Sequence, residues 1–264
     1  MLRHFFAIAI AIAICSPWAF ADDALSQELP PDQEAAALKA AEATGLAIYR
    51  HDYAAAVATD AIELRQFKKD KRVRGWVTEE QQDGIVVTFI DQTPAALYRI
   101  SVSKEGVAGP VAALEEPAPL TVYEFGAATA RAVALASKFE PCSENYNSVV
   151  LPSAGAHGAN WVVYLLPGTT KHNVVPVGGT YRMEVNGSKV ISQRGFTRTC
   201  IALQADPEAV GLMITHLLDP IPTEAHVFWS MWAKKPIYVA TPPEGTIWIV
   251  DGDKISLVER KTSS

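Results

Sequence analysis

The clearest alternation of apolar and polar positions lies in the second half of the chain. An apolar run at residues 161–166 is followed by a turn-rich insert and then by alternating positions at 181–185. Asn186 and Gly187 come next, before a return stretch at 189–193. Asn-Gly is a strong hairpin signal because both residues tolerate the positive φ of a type I′ turn. The pattern predicts an antiparallel meander whose inner face carries Tyr181, Met183 and Val185.

A weaker copy of this pattern occurs upstream. Residues 86–90 form an apolar run that precedes Tyr98 and Arg99, much as the later run precedes Tyr181 and Arg182. The repetition predicts two similar units that arose by duplication. The alternative is that any two meanders look alike, because β patterning uses few residue types. If the units are equivalent, both tyrosines face the interior and both arginines point the other way, so only the tyrosines should be costly to replace.

Helix patterns precede both meanders. Residues 33–49 and 53–67 are rich in good helix formers, with a break expected near His51 and Asp52. A further helix is predicted at residues 122–139, capped by a threonine.

Strand patterns fill most of the remaining chain. In the first half they lie at residues 73–79, 84–91, 95–103 and 107–112. Near the end they lie at residues 225–232, 236–241, 245–250 and 254–259, whereas residues 207–218 fit either a short helix or a strand. The predicted fold class is α+β, with helices packed on antiparallel β-meanders.

Two prolines within residues 115–119 predict an internal linker, because proline continues neither a central strand nor a helix interior. We therefore expect three segments. These are a signal peptide at residues 1–21, an N-terminal helix-plus-sheet unit at 22–119, and a C-terminal helix with a larger antiparallel β unit at 120–264.

The first 21 residues have the features of a secretory signal peptide. A basic start precedes an apolar stretch at residues 5–14, and a small-residue cleavage site ends at Ala21. Cys15 raises the alternative of a lipoprotein, but Ile14 stands where a lipobox requires a small residue. The mature protein is expected to be soluble, periplasmic or secreted, and without a membrane span.

Charge and cysteine content narrow the choice of partners and compartment. The formal net charge is −6 and becomes −7 once the single arginine of the signal is removed, which argues against nucleic acid as a partner. Cleavage also leaves Cys142 and Cys200, which predict one disulfide in an exported chain. The alternatives are two unpaired buried cysteines or a zinc site that uses both thiols.

Common catalytic motifs are absent from the sequence, and one candidate cluster stands out. On a strand, Glu224 and His226 would share one face, and the Pro-Ile-Pro corner before them could bring His216 alongside. Two imidazoles and a carboxylate would suit an open zinc site with an activated water. The alternative is that Glu224 and His226 form local hydrogen bonds while His216 packs in the core.

These patterns favour an exported binding or interaction protein without a cofactor, whose partner is an unidentified protein or small molecule of the cell envelope. The alternative is a metal-dependent hydrolase that uses the His/Glu/His cluster and zinc. The order of a helix followed by a small antiparallel sheet resembles that of PepSY-type and cystatin-like exported modules. This resemblance of topology implies binding or inhibition of other proteins, and it transfers no site residue.

Overall fold

The computed structural model describes residues 28–64, 70–153, 160–243 and 245–260. The predicted signal peptide and its cleavage site near Ala21 lie outside these ranges. Within them, the helices are all too short or too polar to cross a membrane.

Helices and strands alternate in blocks along the chain. In order, the described elements are α1 (Pro31–Leu64), β1 (Gly75–Gln81), β2 (Gly84–Ile90), β3 (Ala96–Ser103), β4 (Ala112–Ala118), α2 (Val122–Ala136), β5 (Tyr146–Pro152), β6 (Asn160–Pro167), β7 (Val174–Val175), β8 (Tyr181–Asn186), β9 (Lys189–Gly195), β10 (Leu203–Gln204), β11 (Leu212–Thr215), α3 (Glu224–Ala233), β12 (Ile237–Thr241), β13 (Thr246–Asp251) and β14 (Lys254–Glu259).

The strands form three four-stranded sheets and one small ribbon among the described residues. The first sheet has the order β1-β2-β3-β4 and the second has the order β5-β6-β8-β9, and both are antiparallel. The third sheet has the order β11-β12-β13-β14, in which β11 runs parallel to β12 because α3 connects them. Strands β7 and β10 form the ribbon. The predicted α+β class is confirmed, with a helix before each antiparallel meander.

The long helix α1 contributes to two cores. Small residues of its C-terminal half, including Ala54 and Ala58, pack on Val87 and Ile100 of the first sheet. Its N-terminal half places Ile48 in a different core, together with residues of the second sheet, α3 and the third sheet. Helix α2 lies between the first and second sheets, where its alanines contact residues of both. These packing arrangements bury apolar residues from distant parts of the chain against one another.

The predicted break near His51 and Asp52 is wrong, because α1 continues through both residues. Both are buried, and each has a polar partner on a sheet. Thr78 Oγ1 lies 2.7 Å from Nδ1 of His51, and the amide of Asn147 donates to Asp52 over 3.0 Å. These bonds satisfy the buried polar atoms, so the helix need not bend to expose them.

Two strand predictions and the linker prediction also need correction. Residues 225–232 were expected to form a strand but belong to α3, whereas the ambiguous segment 207–218 contains β11. Residues 107–112 contribute an isolated bridge at Ala108, and β4 begins at Ala112 instead. The expected linker at 115–119 is largely strand, because β4 is a sheet edge where proline is tolerated.

The predicted hairpin between β8 and β9 is confirmed, but its turn differs from expectation. Asn186 pairs with Lys189, so Gly187 and Ser188 occupy the two-residue loop. Gly187 has φ of 54°, whereas Asn186 does not have positive φ. The turn is therefore not type I′ at Asn-Gly.

The expected orientation of the two Tyr-Arg pairs is confirmed. Tyr98 packs in the core beside α1, and Tyr181 packs in the core beside α2, so each tyrosine faces the helix that precedes its own sheet. Arg99 and Arg182 point away from these cores. Arg99 is nevertheless not a free surface residue, because it forms an ion pair of 2.7 Å with Glu124 of α2.

The predicted cysteine pair lies at disulfide distance, with Cys142 and Cys200 joined through their Sγ atoms. Cys142 precedes β5 and Cys200 follows β9, so the bond connects the two ends of the second sheet. Gly179, at φ of 87°, lies directly against Cys142, where an added Cβ would be 2.8 Å from the sulfur. The glycine therefore makes room for the bridge.

Candidate functional site

A cavity of about 440 Å³ lies between the N-terminal half of α1, the second sheet and the corner that leads into α3. Its residues from α1 and from the corner at 220–223 are mainly apolar, whereas the second sheet and the residues at either end of the corner contribute charged side chains. Its lining consists of Leu29, Ala37, Ala40, Ala41, Thr44, Tyr164, Arg182, Arg194, Asp219, Pro220, Ile221, Pro222, Thr223 and Glu224. Convergent polar groups beside an apolar wall are typical of ligand sites.

Close packing of α1 against α3 fixes these two elements relative to each other beside the cavity. At Gly45, an added Cβ would lie 2.6 Å from Cγ1 of Val227 and 2.8 Å from the carbonyl oxygen of Glu224. Only glycine leaves enough space for this approach. At the start of α3, the backbone N–H of Thr223 donates to Nδ1 of His226 over 3.0 Å, which fixes the corner locally.

Arg194 and Asp219 form the better buried of two charged networks in the cavity wall. The Arg194 guanidinium donates to both carboxylate oxygens of Asp219, at 3.2 and 2.6 Å. Nε2 of His216 also lies 2.8 Å from Asp219. Burial raises the pKa of Asp219, but the hydrogen bonds from His216 and Arg194 outweigh that effect and hold it at about 2. Asp219 is therefore ionised at neutral pH.

The second network is centred on the phenol of Tyr164. Its hydroxyl donates to Oε1 of Glu224 over 3.2 Å, while Arg182 forms an ion pair of 2.8 Å with Glu184. Burial and the nearby charge of Glu224 raise the pKa of Tyr164, and Arg182 partly offsets this effect. Tyr164 thus remains a neutral hydrogen-bond donor to Glu224.

The structure brings His216 and His226 together but separates Glu224 from them. The two imidazole rings have centroids 4.7 Å apart, and both side chains are buried. Burial lowers the pKa of His226 well below its usual value, so the ring is neutral, and its Nδ1 is occupied by the Thr223 N–H. On a helix, positions two apart differ by about 200°. The expectation that Glu224 and His226 share a strand face is therefore wrong.

A metal centre is not assembled from these residues. Across the described ranges, no group of three His, Cys, Asp or Glu side chains is placed to hold a metal ion. Glu224 instead bonds to Tyr164, and His216 bonds to Asp219. The hydrogen bonds favour a structural role for both histidines behind the cavity wall.

Sequence reasoning missed the residues that give the cavity its polar character. Tyr164, Arg182, Arg194 and Asp219 come from three strands and a loop, and no local motif joins them. The available signal was the alternation of β8, which places Arg182 on the face opposite Met183. The alternation predicts which face of β8 carries Arg182, but it does not predict which elements cover that face.

Comparisons with known proteins identify no relative. No protein-family model matches the chain, and no curated protein or solved structure is significantly similar to it. The topological resemblance to PepSY-type and cystatin-like modules thus receives no support from these comparisons. Function must be argued from the site itself.

Proposed function

We propose that this chain is an exported, soluble binding protein of the cell envelope, and that its ligand is a small molecule held in the cavity between α1 and α3. The observation that carries this proposal is the presence of two arginines and two carboxylates in the wall of one cavity whose other lining residues are mainly apolar. Desolvating charged groups is costly, so their concentration at a concave surface favours a functional role.

The cavity favours a small molecule over a protein partner. A volume of about 440 Å³ lies within the range of about 300–1,000 Å³ that is usual for small-molecule sites. Its apolar wall includes Ala37 and Ala40 of α1, whose short side chains leave room for a ligand. The disulfide is compatible with an oxidising compartment outside the cytoplasm.

The test compares two tryptophan variants of the full chain, secreted from a Gram-negative host. Ala40→Trp places a large side chain in the cavity mouth, whereas Ala36→Trp is the control at an exposed position of α1 outside the lining. Native mass spectrometry of the proteins incubated with envelope extract should detect a bound small molecule in the wild type and in Ala36→Trp, but not in Ala40→Trp. Equal retention by all three, or by none, would contradict the proposal.

The proposed export is tested separately, by N-terminal sequencing. The N-terminal sequence of protein recovered from the periplasm should begin at Asp22, directly after the predicted cleavage site. Protein that keeps Met1 and remains in the cytoplasm would refute this part of the proposal.

A further inference from the structure

We propose that the ligand of this cavity is an organic cation, a primary ammonium or guanidinium group on an apolar body, and that its charged group bonds to Glu224. This inference rests on the proposed binding function and specifies the ligand class for the same cavity.

The two arginines of the cavity already have carboxylate partners. Arg194 is engaged by both oxygens of Asp219, and Arg182 is paired with Glu184. A ligand anion would have to compete with these carboxylates for the same guanidinium groups. The ion pairs of the two arginines therefore stabilise the cavity wall.

Glu224 is the carboxylate of the wall whose described partner is not a cation. Its Oε1 accepts the hydroxyl of Tyr164 at 3.2 Å, and the nearby ion pairs of Arg182 and Arg194 go to Glu184 and Asp219 instead. If Glu184, which pairs with Arg182 from outside the lining, is counted, two arginines pair with two of three neighbouring carboxylates, and Glu224 is the one without an arginine in hydrogen-bond contact. Tyr164, which contacts Glu224, is buried, so a charge beside it interacts more strongly with an opposite charge than it would on a fully exposed surface.

The start of α3 does not neutralise Glu224. Glu224 is the first residue of the helix, where the macrodipole supplies about half a positive charge. That partial charge is too small to neutralise a full negative charge. An ammonium or guanidinium group would complete the neutralisation and would add charge-assisted hydrogen bonds.

The rest of the cavity suits the apolar part of such a ligand. Leu29, Ala40, Ile221 and Pro222 contribute carbon surface to its lining. A ligand with a cationic end and a hydrocarbon body would bury apolar area there, which favours binding.

Three probes of similar shape distinguish the ligand classes. They are 2-phenylethylamine, the neutral 2-phenylethanol and the anionic 3-phenylpropionate, each titrated calorimetrically into the mature protein at low salt. We expect the amine to bind at least about tenfold more tightly than the other two, and to weaken as salt is added. Preferential binding of the anion or of the alcohol would overturn the inference.

Matched variants locate the charge that recognises the amine. Glu224→Gln should lose at least about tenfold in affinity for 2-phenylethylamine. Glu208→Gln removes an equal charge from an exposed turn and should bind like the wild type. Thermal unfolding checks the fold of both, and Ala40→Trp provides a second route to loss of binding if Glu224→Gln unfolds. Unchanged amine affinity in folded Glu224→Gln, or in Ala40→Trp, would refute the assignment.

The two proposals fail in different ways. If 3-phenylpropionate binds and Ala40→Trp prevents it, the cavity is a ligand site but the cation inference is wrong. If no probe binds but an envelope molecule is retained, the charge of that molecule tests the cation inference. A neutral or anionic molecule overturns it. If neither probes nor envelope molecules bind, the proposed function itself fails.

Discussion

Replacing Arg99 by methionine should destabilise the protein far more than the same change at Arg182. Arg99 donates two hydrogen bonds of 2.7 Å to Glu124, whose side chain is 4% exposed. Arg182 forms an ion pair with Glu184 in which both side chains are about one-third exposed. Exposed pairs contribute about 0–1 kcal/mol, whereas removal of one partner from a buried pair costs about 3–5 kcal/mol. The sequence alone suggested that both changes would be nearly neutral.

The expected loss of stability in Arg99→Met follows from the surroundings of Glu124. Burial raises its pKa, but hydrogen bonds from Arg99, the Thr121 backbone and the Thr88 hydroxyl outweigh this and lower it from 4.5 to about 2. That difference corresponds to about 3 kcal/mol of stability at neutral pH. Because Arg99 is 28% exposed and two other donors remain, we expect Arg99→Met to cost about 2–3 kcal/mol.

Urea unfolding followed by circular dichroism provides the assay. The stability from Glu124 is fully present above about pH 4.5 and is lost as the pH falls towards 2, because the folded-state pKa is depressed. Arg99→Met should therefore show a smaller loss between these pH values than the wild type. Equal costs for Arg99→Met and Arg182→Met at pH 7 would refute this reasoning.

Three further predictions concern other buried features. Burial raises the pKa of Asp52 from 3.8 to about 6, so the charge destabilises the fold increasingly as pH rises through 6. Asp52→Asn should keep the bond from Asn147 and gain up to about 3 kcal/mol at pH 8, with the gain vanishing near pH 4 in thermal unfolding. Gly45→Ala improves helix propensity by about 1 kcal/mol, yet overpacking against α3 costs about 1–3 kcal/mol. Urea titration should show a lower free energy of unfolding for Gly45→Ala. A higher value would mean that α3 can move away from α1 without cost. Cys142 and Cys200 enclose 58 residues, so reduction should lower the free energy of unfolding by about 4 kcal/mol in the chain-entropy view. Peptide mapping that finds both thiols free in the exported protein would contradict the bond.

Local patterns predicted most of the antiparallel strands, because alternation is imposed by one buried and one exposed face. They failed where distant residues decide the conformation. His51 and Asp52 looked like a helix break, but their partners Thr78 and Asn147 lie 27 and 95 residues away. No local rule indicates that such polar atoms will be satisfied inside a helix.

Helix α3 shows the same limit and explains why the residues of the alternative metal site, His216, Glu224 and His226, do not come together. Its aromatic and β-branched residues favour a strand by propensity, yet burial against α1 and the third sheet selects a helix. Changing strand to helix rotates Glu224 away from His226 and towards Tyr164. The cysteine pair was predictable because a chain with the predicted export signal, and two cysteines after it, has few arrangements open to its thiols.

Helix α1, the first helix of the described residues, has some of its polar partners at the far end of the chain. Glu42 of α1 accepts the backbone N–H of Ile255 at 2.8 Å, and Glu34 binds Arg260 through two contacts of 2.8 and 2.7 Å. More than two hundred residues separate these partners, so these polar contacts of α1 form only after β14 and Arg260 have been synthesised. Chains grow at about 5–20 residues per second, so this delay lasts on the order of ten seconds or more. A chain that stops before β14 would lack the partners of Glu42 and Glu34, so the N-terminal half of α1 would lose its ties to the C-terminal segment.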